Sequence, residues 1–114
     1  MDYSFYTIFP NGLKLFIYKK KNNESIYISA KWVKSIKKIF YHFKGDIRIV
    51  NSIGYILKTE EIFFNLKNKK IYNEKYTIIS TTNGMVFRAK NGIESSDNLS
   101  NIKLKNISGT ISIR

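Results

Sequence analysis

Three adjacent hydroxyls, Ser80, Thr81 and Thr82, followed by Asn83 and Gly84, are the residues of this chain best suited to recognition chemistry. A hydroxyl donates and accepts hydrogen bonds without carrying charge, which suits ribose 2′-OH groups, base edges and phosphate oxygens. Isoleucines precede the run and Asn83-Gly84 is a hairpin-turn signal, so the hydroxyls are expected at a strand end. Acid–base chemistry is poorly supplied by comparison. Glu60 and Glu61 read as capping or solvated residues, and the single histidine, His42, reads as a satisfied surface side chain rather than a base. No nucleophile elbow, phosphate loop or dinucleotide glycine pattern occurs. With no cysteine and one histidine, the chain offers no thiolate site and no zinc cluster. A protein that is not an enzyme, uses no cofactor or metal and takes no small-molecule substrate is expected.

The charge balance names the partner class. Twenty Lys+Arg stand against 8 Asp+Glu over 114 residues, a net charge of +12. Counter-ion release makes a polyanion, and nucleic acid first, the expected partner. A 43% hydrophobic content is too high for a disordered basic tail. No apolar run reaches the length of a membrane span, so no membrane partner is expected. Lysine outnumbers arginine 17 to 3, and isoleucine and asparagine are abundant, the bias of A/T-rich codons. That bias, with no basic leader and no small-residue cleavage site in Met1–Phe9 and an early Asp2, predicts an organelle-encoded protein, placed in the mitochondrial matrix.

The elements that must position these residues are mostly strands. Residues 1–10 fit helix or strand equally, Asn11-Gly12 is a turn, Leu13–Tyr18 and Ser25–Ser29 are strands, and Lys19–Glu24 is a solvated loop. Trp32, Val33, Ile36, Ile39, Phe40 and Phe43 then recur at helical period. The segment is predicted to be an amphipathic helix from Ala30 to Phe43 or Lys44, capped by Ser29 and stopped by Gly45. Its Trp32 would pack in the core rather than stack on a base, while Lys31, Lys34 and Lys38 face solvent or phosphate. Strands are predicted at Ile47–Asn51, Tyr55–Lys58, Ile62–Leu66, Tyr76–Thr81, Met85–Lys90, Ile102–Leu104 and Thr110–Ile113. Breaks are expected at Thr59–Glu61 and Lys67–Lys70, and a polar loop at Glu94–Asn101. The expected fold class is α+β, in two small subdomains at 1–66 and 67–114, the first bearing the helix and the second mostly antiparallel β.

Ile78–Met85 resembles the carboxy-terminal signature of the eighth small-subunit ribosomal protein family, roughly V-V-S-T-S-K-G-V. Ile26–Lys31 with the segment to Gly45 and Ile47 is similar to that family's V-x-V-P-x-S-K, second helix and G-[FY]-I. Met1-Asp2 and Asn11-Gly12 resemble its opening, Lys69–Tyr72 its R-R-[IV]-Y strand, and Ser108–Ile111 its closing G-G-E-[IVL]. The resemblance implies a structural constituent of the small ribosomal subunit, bound to the central domain of its RNA and to neighbouring ribosomal proteins. Carried over, Ser80, Thr81 and Thr82 would make the specific RNA contacts and Asn83 and Gly84 would shape the turn. Tyr72, Ser29 and Lys31 would support backbone contacts, with Lys34 beside them. Thr110 stands where the family has glutamate, the proline near Ser29 is missing, and Glu94–Asn101 has the look of an insertion. Phe43–Ile56 also resembles, more faintly, the sixth large-subunit ribosomal protein. A basic protein–protein adaptor of an organellar complex is the alternative from a different class.

Overall fold

Alternation of period two, rather than helical period, organises this chain. A computed structural model describes residues 6–19, 24–105 and 110–112; the expectations for 1–5, 20–23, 106–109 and 113–114 lie outside the described residues. The described residues form twelve strands and no helix. They are β1 (Tyr6–Phe9), β2 (Leu13–Lys19), β3 (Glu24–Ala30), β4 (Trp32–Ile36), β5 (Phe40–Asn51) and β6 (Ile56–Asn65), then β7 (Lys70–Tyr72), β8 (Thr77–Ser80), β9 (Val86–Ala89), β10 (Ile93–Ser96), β11 (Asn101–Leu104) and β12 (Thr110–Ser112). Every pairing is antiparallel.

The long β5–β6 hairpin is the spine. Its turn is tied by Asn51, whose buried side-chain oxygen accepts from the N–H groups of Ile53, Gly54 and Tyr55 at 3.2, 3.0 and 2.9 Å. A bulge between Lys44 and Ile47 divides the spine, with Gly45 and Asp46 at φ 83° and 47°. On one side of the bulge the order is β1-β4-β5-β6-β7-β10-β11-β12, and on the other it is β2-β3-β5-β6-β8-β9. A bulge adds twist and bend, so the shared strands pass from one half-sheet to the other and both inner faces contribute to one core. Ile28, Ile49, Leu57 and Ile79 come from one half, and Phe43, Ile62, Phe64, Ile71, Ile93 and Ile102 from the other. The expected subdomain boundary between residues 66 and 67 falls in the β6–β7 turn; strands on either side of it are hydrogen-bonded and share that core.

The predicted helix over 30–44 is a strand pair, which replaces the α+β class with an all-β one. Val33, Ser35 and Phe43 point inward, while Trp32, Lys34, Ile36, Phe40 and Lys44 point outward. Trp32 is therefore on the outer face, not in the core. The segment's isoleucines, valine and aromatics prefer a pleated surface, and β1 and β6 complete its hydrogen bonding from both sides. The turn is made by Lys37 and Lys38, both at positive φ, with the Ile39 N–H on the Ile36 carbonyl at 3.0 Å. Such a turn usually advertises itself with Asn-Gly; here lysines conceal it and supply the polar side of an accidental helical pattern.

Two other expectations are corrected. Thr59–Glu61 is continuous strand, with Thr59 buried. Glu94–Asn101 is largely a hairpin: β10, a turn and the start of β11, with Ser95, Asp97 and Leu99 buried.

Candidate nucleic-acid interface

The Ser80–Gly84 hydroxyl loop joins β8 to β9, at a strand end. Thr81 Oγ1 donates to the Asn83 side-chain oxygen and accepts the Met85 N–H at 3.2 Å, while the Thr81 N–H reaches the Met85 carbonyl at 2.9 Å. Thr81 thus closes its own turn. Thr82 lies against the β5–β6 turn, close enough that a Cβ on Gly54 would come within 2.7 Å of its methyl. Ser80 faces outward between Ile56 and Val86. Thr81→Ala should cost about 1 kcal/mol of unfolding free energy, the usual net worth of such a bond, measurable as a lower urea midpoint.

Beyond that loop the register assembles two rows that no single stretch of sequence displays. On the outer face of the β2-β3-β5-β6-β8-β9 half, Lys14, Ser29, Arg48, Lys58, Ile78 and Arg88 stand opposite one another, strand by strand. The four cations are exposed. Arg48 and Lys58 are direct cross-strand partners, an arrangement that disfavours folding. Glu60, one outward position along β6, accepts the Asp46 N–H at 3.1 Å. Ser29 therefore sits inside a cationic row, where its resemblance-derived role had placed it beside Lys31.

On the outer face of the other half the row runs Ile8, Lys34, His42, Phe63, Tyr72, Glu94, Lys103 and Thr110. For Thr110 only the backbone placement in β12 is described. His42 stacks on Phe63 at 4.4 Å between centroids and 18° between planes; Phe63 stacks on Tyr72 at 5.4 Å and 20°. Trp32 meets His42 edge-on at 5.6 Å, and Lys44 lies over the Trp32 ring at 5.2 Å. Lys34 Nζ lies 4.7 Å from the centre of the Tyr6 ring. His42 Nε2 is 2.7 Å from Glu61, so the histidine is partnered. Lys31, at the β3–β4 junction, is exposed, and its backbone N–H reaches the Lys44 and Gly45 carbonyls. Lys34, Tyr72 and Thr110 are thus brought to one row, while Ser80–Gly84 sits on the other half-sheet.

Lys70 donates to Glu94 at 2.9 Å beside Tyr72. That hydrogen bond, then the lysine's charge, holds the Glu94 carboxyl below the ordinary glutamate range. A depressed folded value contributes stability above the unfolded pKa and loses it as pH falls through the folded one, and at this exposed pair the contribution is small. In an NMR titration the Glu94 midpoint should lie below that of a free glutamate, and Lys70→Met should move it up.

Sequence reasoning missed Lys14, Arg48, Lys58, Arg88 and Phe63. Each is an unremarkable outward strand position, and only pairing aligns them. Among the described residues no group of three or more metal-ligating side chains is brought together.

No family model matches the chain. The chain is 39% identical to the ribosomal operon-associated A protein of Euglena longa over an alignment of 82 positions that covers 68% of the chain. The match spans 14% of that protein's length.

Proposed function

We propose that this chain binds ribosomal RNA as a structural constituent of a ribosomal particle, with small-subunit RNA as its target. The row Lys14–Arg48–Lys58–Arg88 carries the reading. Four cations aligned across six strands, two of them in direct like-charge opposition, are costly to the fold alone and are relieved by a polyanion. The Euglena relative's name, a ribosomal operon-associated protein, supports a ribosomal setting. The target in the small subunit rests on the likeness of Ile78–Met85 to a small-subunit signature, and an organellar ribosome fits the isoleucine–lysine–asparagine bias. Phosphate contacts by the row set affinity, and the neighbouring Ser80 hydroxyl is available to sugar or base edges.

Crosslinking within native particles, read by mass spectrometry and RNA sequencing, tests this. Crosslinks from peptides carrying Lys14, Arg48, Lys58 or Arg88 to one small-subunit RNA site are expected. Association that survives nuclease, with no crosslinked RNA, would replace RNA by an acidic protein partner.

A further inference from the structure

We infer that the outer aromatic row, ending at Tyr72, is a stacking site for unpaired RNA nucleotides, separate from the cationic row on the other half-sheet. This rests on the RNA-binding reading above and adds the conformation of RNA that is recognised. His42, Phe63 and Tyr72 come from three adjacent strands and stack at 4.4 and 5.4 Å. The row continues past Tyr72 with Glu94 and Lys103, which carry no ring. The stack therefore ends on a tyrosine that is 40% exposed. A planar base extends such a stack in the way its third ring does, with the same offset geometry.

The surface around that end is concave and charged in the sense a nucleotide needs. A hollow of about 250 Å³ opens beside Phe40, Phe63 and Tyr72. A second, of about 390 Å³, opens on adjacent strands between Lys69, Lys70, Glu94 and Lys103. Both sit near the lower end of small-ligand sites, enough for a base in one and a sugar-phosphate in the other. Three lysines against one carboxylate make the second hollow cationic. Lysine is depleted at the centres of protein–protein interfaces, so the mixture of rings and lysines favours nucleic acid over a protein partner. Duplex bases are already stacked on each other and cannot reach a ring lying on a sheet face, so the ligand is single-stranded.

The test uses fluorescence anisotropy of the full chain with a labelled single-stranded RNA octamer and with the same sequence as a duplex. Tyr72→Ala should weaken single-strand binding about tenfold, the scale of one lost base stack, and leave duplex binding unchanged. Tyr72→Phe should restore the single-strand affinity, and Tyr72 ring protons should shift upfield when the octamer binds the native chain. Far-ultraviolet circular dichroism and a thermal melt establish that Tyr72→Ala is folded; should it not be, the ring-proton shift on the native chain decides alone. Tyr72→Ala that weakens both RNAs equally, weakens neither, or changes only self-association overturns the stacking site and leaves the cationic row standing. A native chain that binds neither RNA overturns both proposals.

Discussion

Arg48→Glu combined with Arg88→Glu should weaken RNA binding by about 30- to 100-fold at physiological salt without lowering the stability of the fold. Each phosphate contact contributes a salt slope of roughly 0.7 to 0.9, which at about 0.15 M salt is close to a fivefold effect. Two lost contacts give about 25-fold, and repulsion between the new carboxylates and the RNA backbone adds the remainder. The slope of log affinity against log salt should become shallower by about 1.4 to 1.8. Stability should move the other way. Arg48 opposes Lys58 in register, so glutamate there converts a like-charge pair into an attractive one, worth up to about 1 kcal/mol. Loss of affinity together with a raised urea midpoint would show that the row is maintained for a ligand at the fold's expense. Unchanged affinity would remove the row from the interface.

How far the sequence reveals this surface depends on which signals are local. Leu13–Tyr18, Ser25–Ser29, Tyr76–Thr81 and Met85–Lys90 lie close to the observed strands because Asn-Gly turns and alternating apolar residues mark them directly. The hydroxyl loop is legible for the same reason. The β4–β5 hairpin is not, because Lys37 and Lys38 occupy positive φ without the glycine or asparagine that announces it. Thr59–Glu61 looks like a break because three polar residues interrupt the apolar run. In the structure Thr59 is an inward polar residue held by buried hydrogen bonds, and Glu61 is an outward partner of His42. The two rows are illegible for a deeper reason. Phe63, Tyr72 and His42 become neighbours only through the registers β5–β6 and β6–β7, and Lys14 reaches Arg88 only through five successive pairings. A resemblance built on short linear pieces singles out residues one stretch at a time, and it assigns a helix where tertiary pairing builds a sheet.

Asn73→Ala should destabilise the fold by about 3 to 5 kcal/mol, the sum of a few orphaned polar groups and a large share of a domain's usual stability. Asn73 is fully buried where β7 gives way to β8. Its side-chain nitrogen lies 3.0, 2.9 and 3.0 Å from Thr59 Oγ1, Thr77 Oγ1 and the Glu61 carbonyl, two protons shared among three acceptors, and its oxygen accepts the Ile93 N–H at 2.8 Å. One amide therefore joins β6, β8 and β10 beneath the sheet. Truncation leaves the buried Ile93 N–H and the Glu61 carbonyl without these partners, in a region where no described buried side-chain polar atom is otherwise unsatisfied. Gly92 is pressed against the Asn73 backbone: a Cβ there would lie 2.3 Å from the Asn73 carbonyl oxygen, at φ +102°. Gly92→Ala should accordingly be comparably damaging, through clash and backbone strain rather than lost hydrogen bonds. Urea unfolding separates the cases: both variants should shift the midpoint down with an unchanged slope if the transition remains two-state. Since Tyr72 directly precedes Asn73, the buried amide also fixes the strand that presents the end of the aromatic stack. Asn73→Ala should therefore weaken single-strand binding more than duplex binding even where it is fully folded, and equal effects on the two would separate the network from the stack.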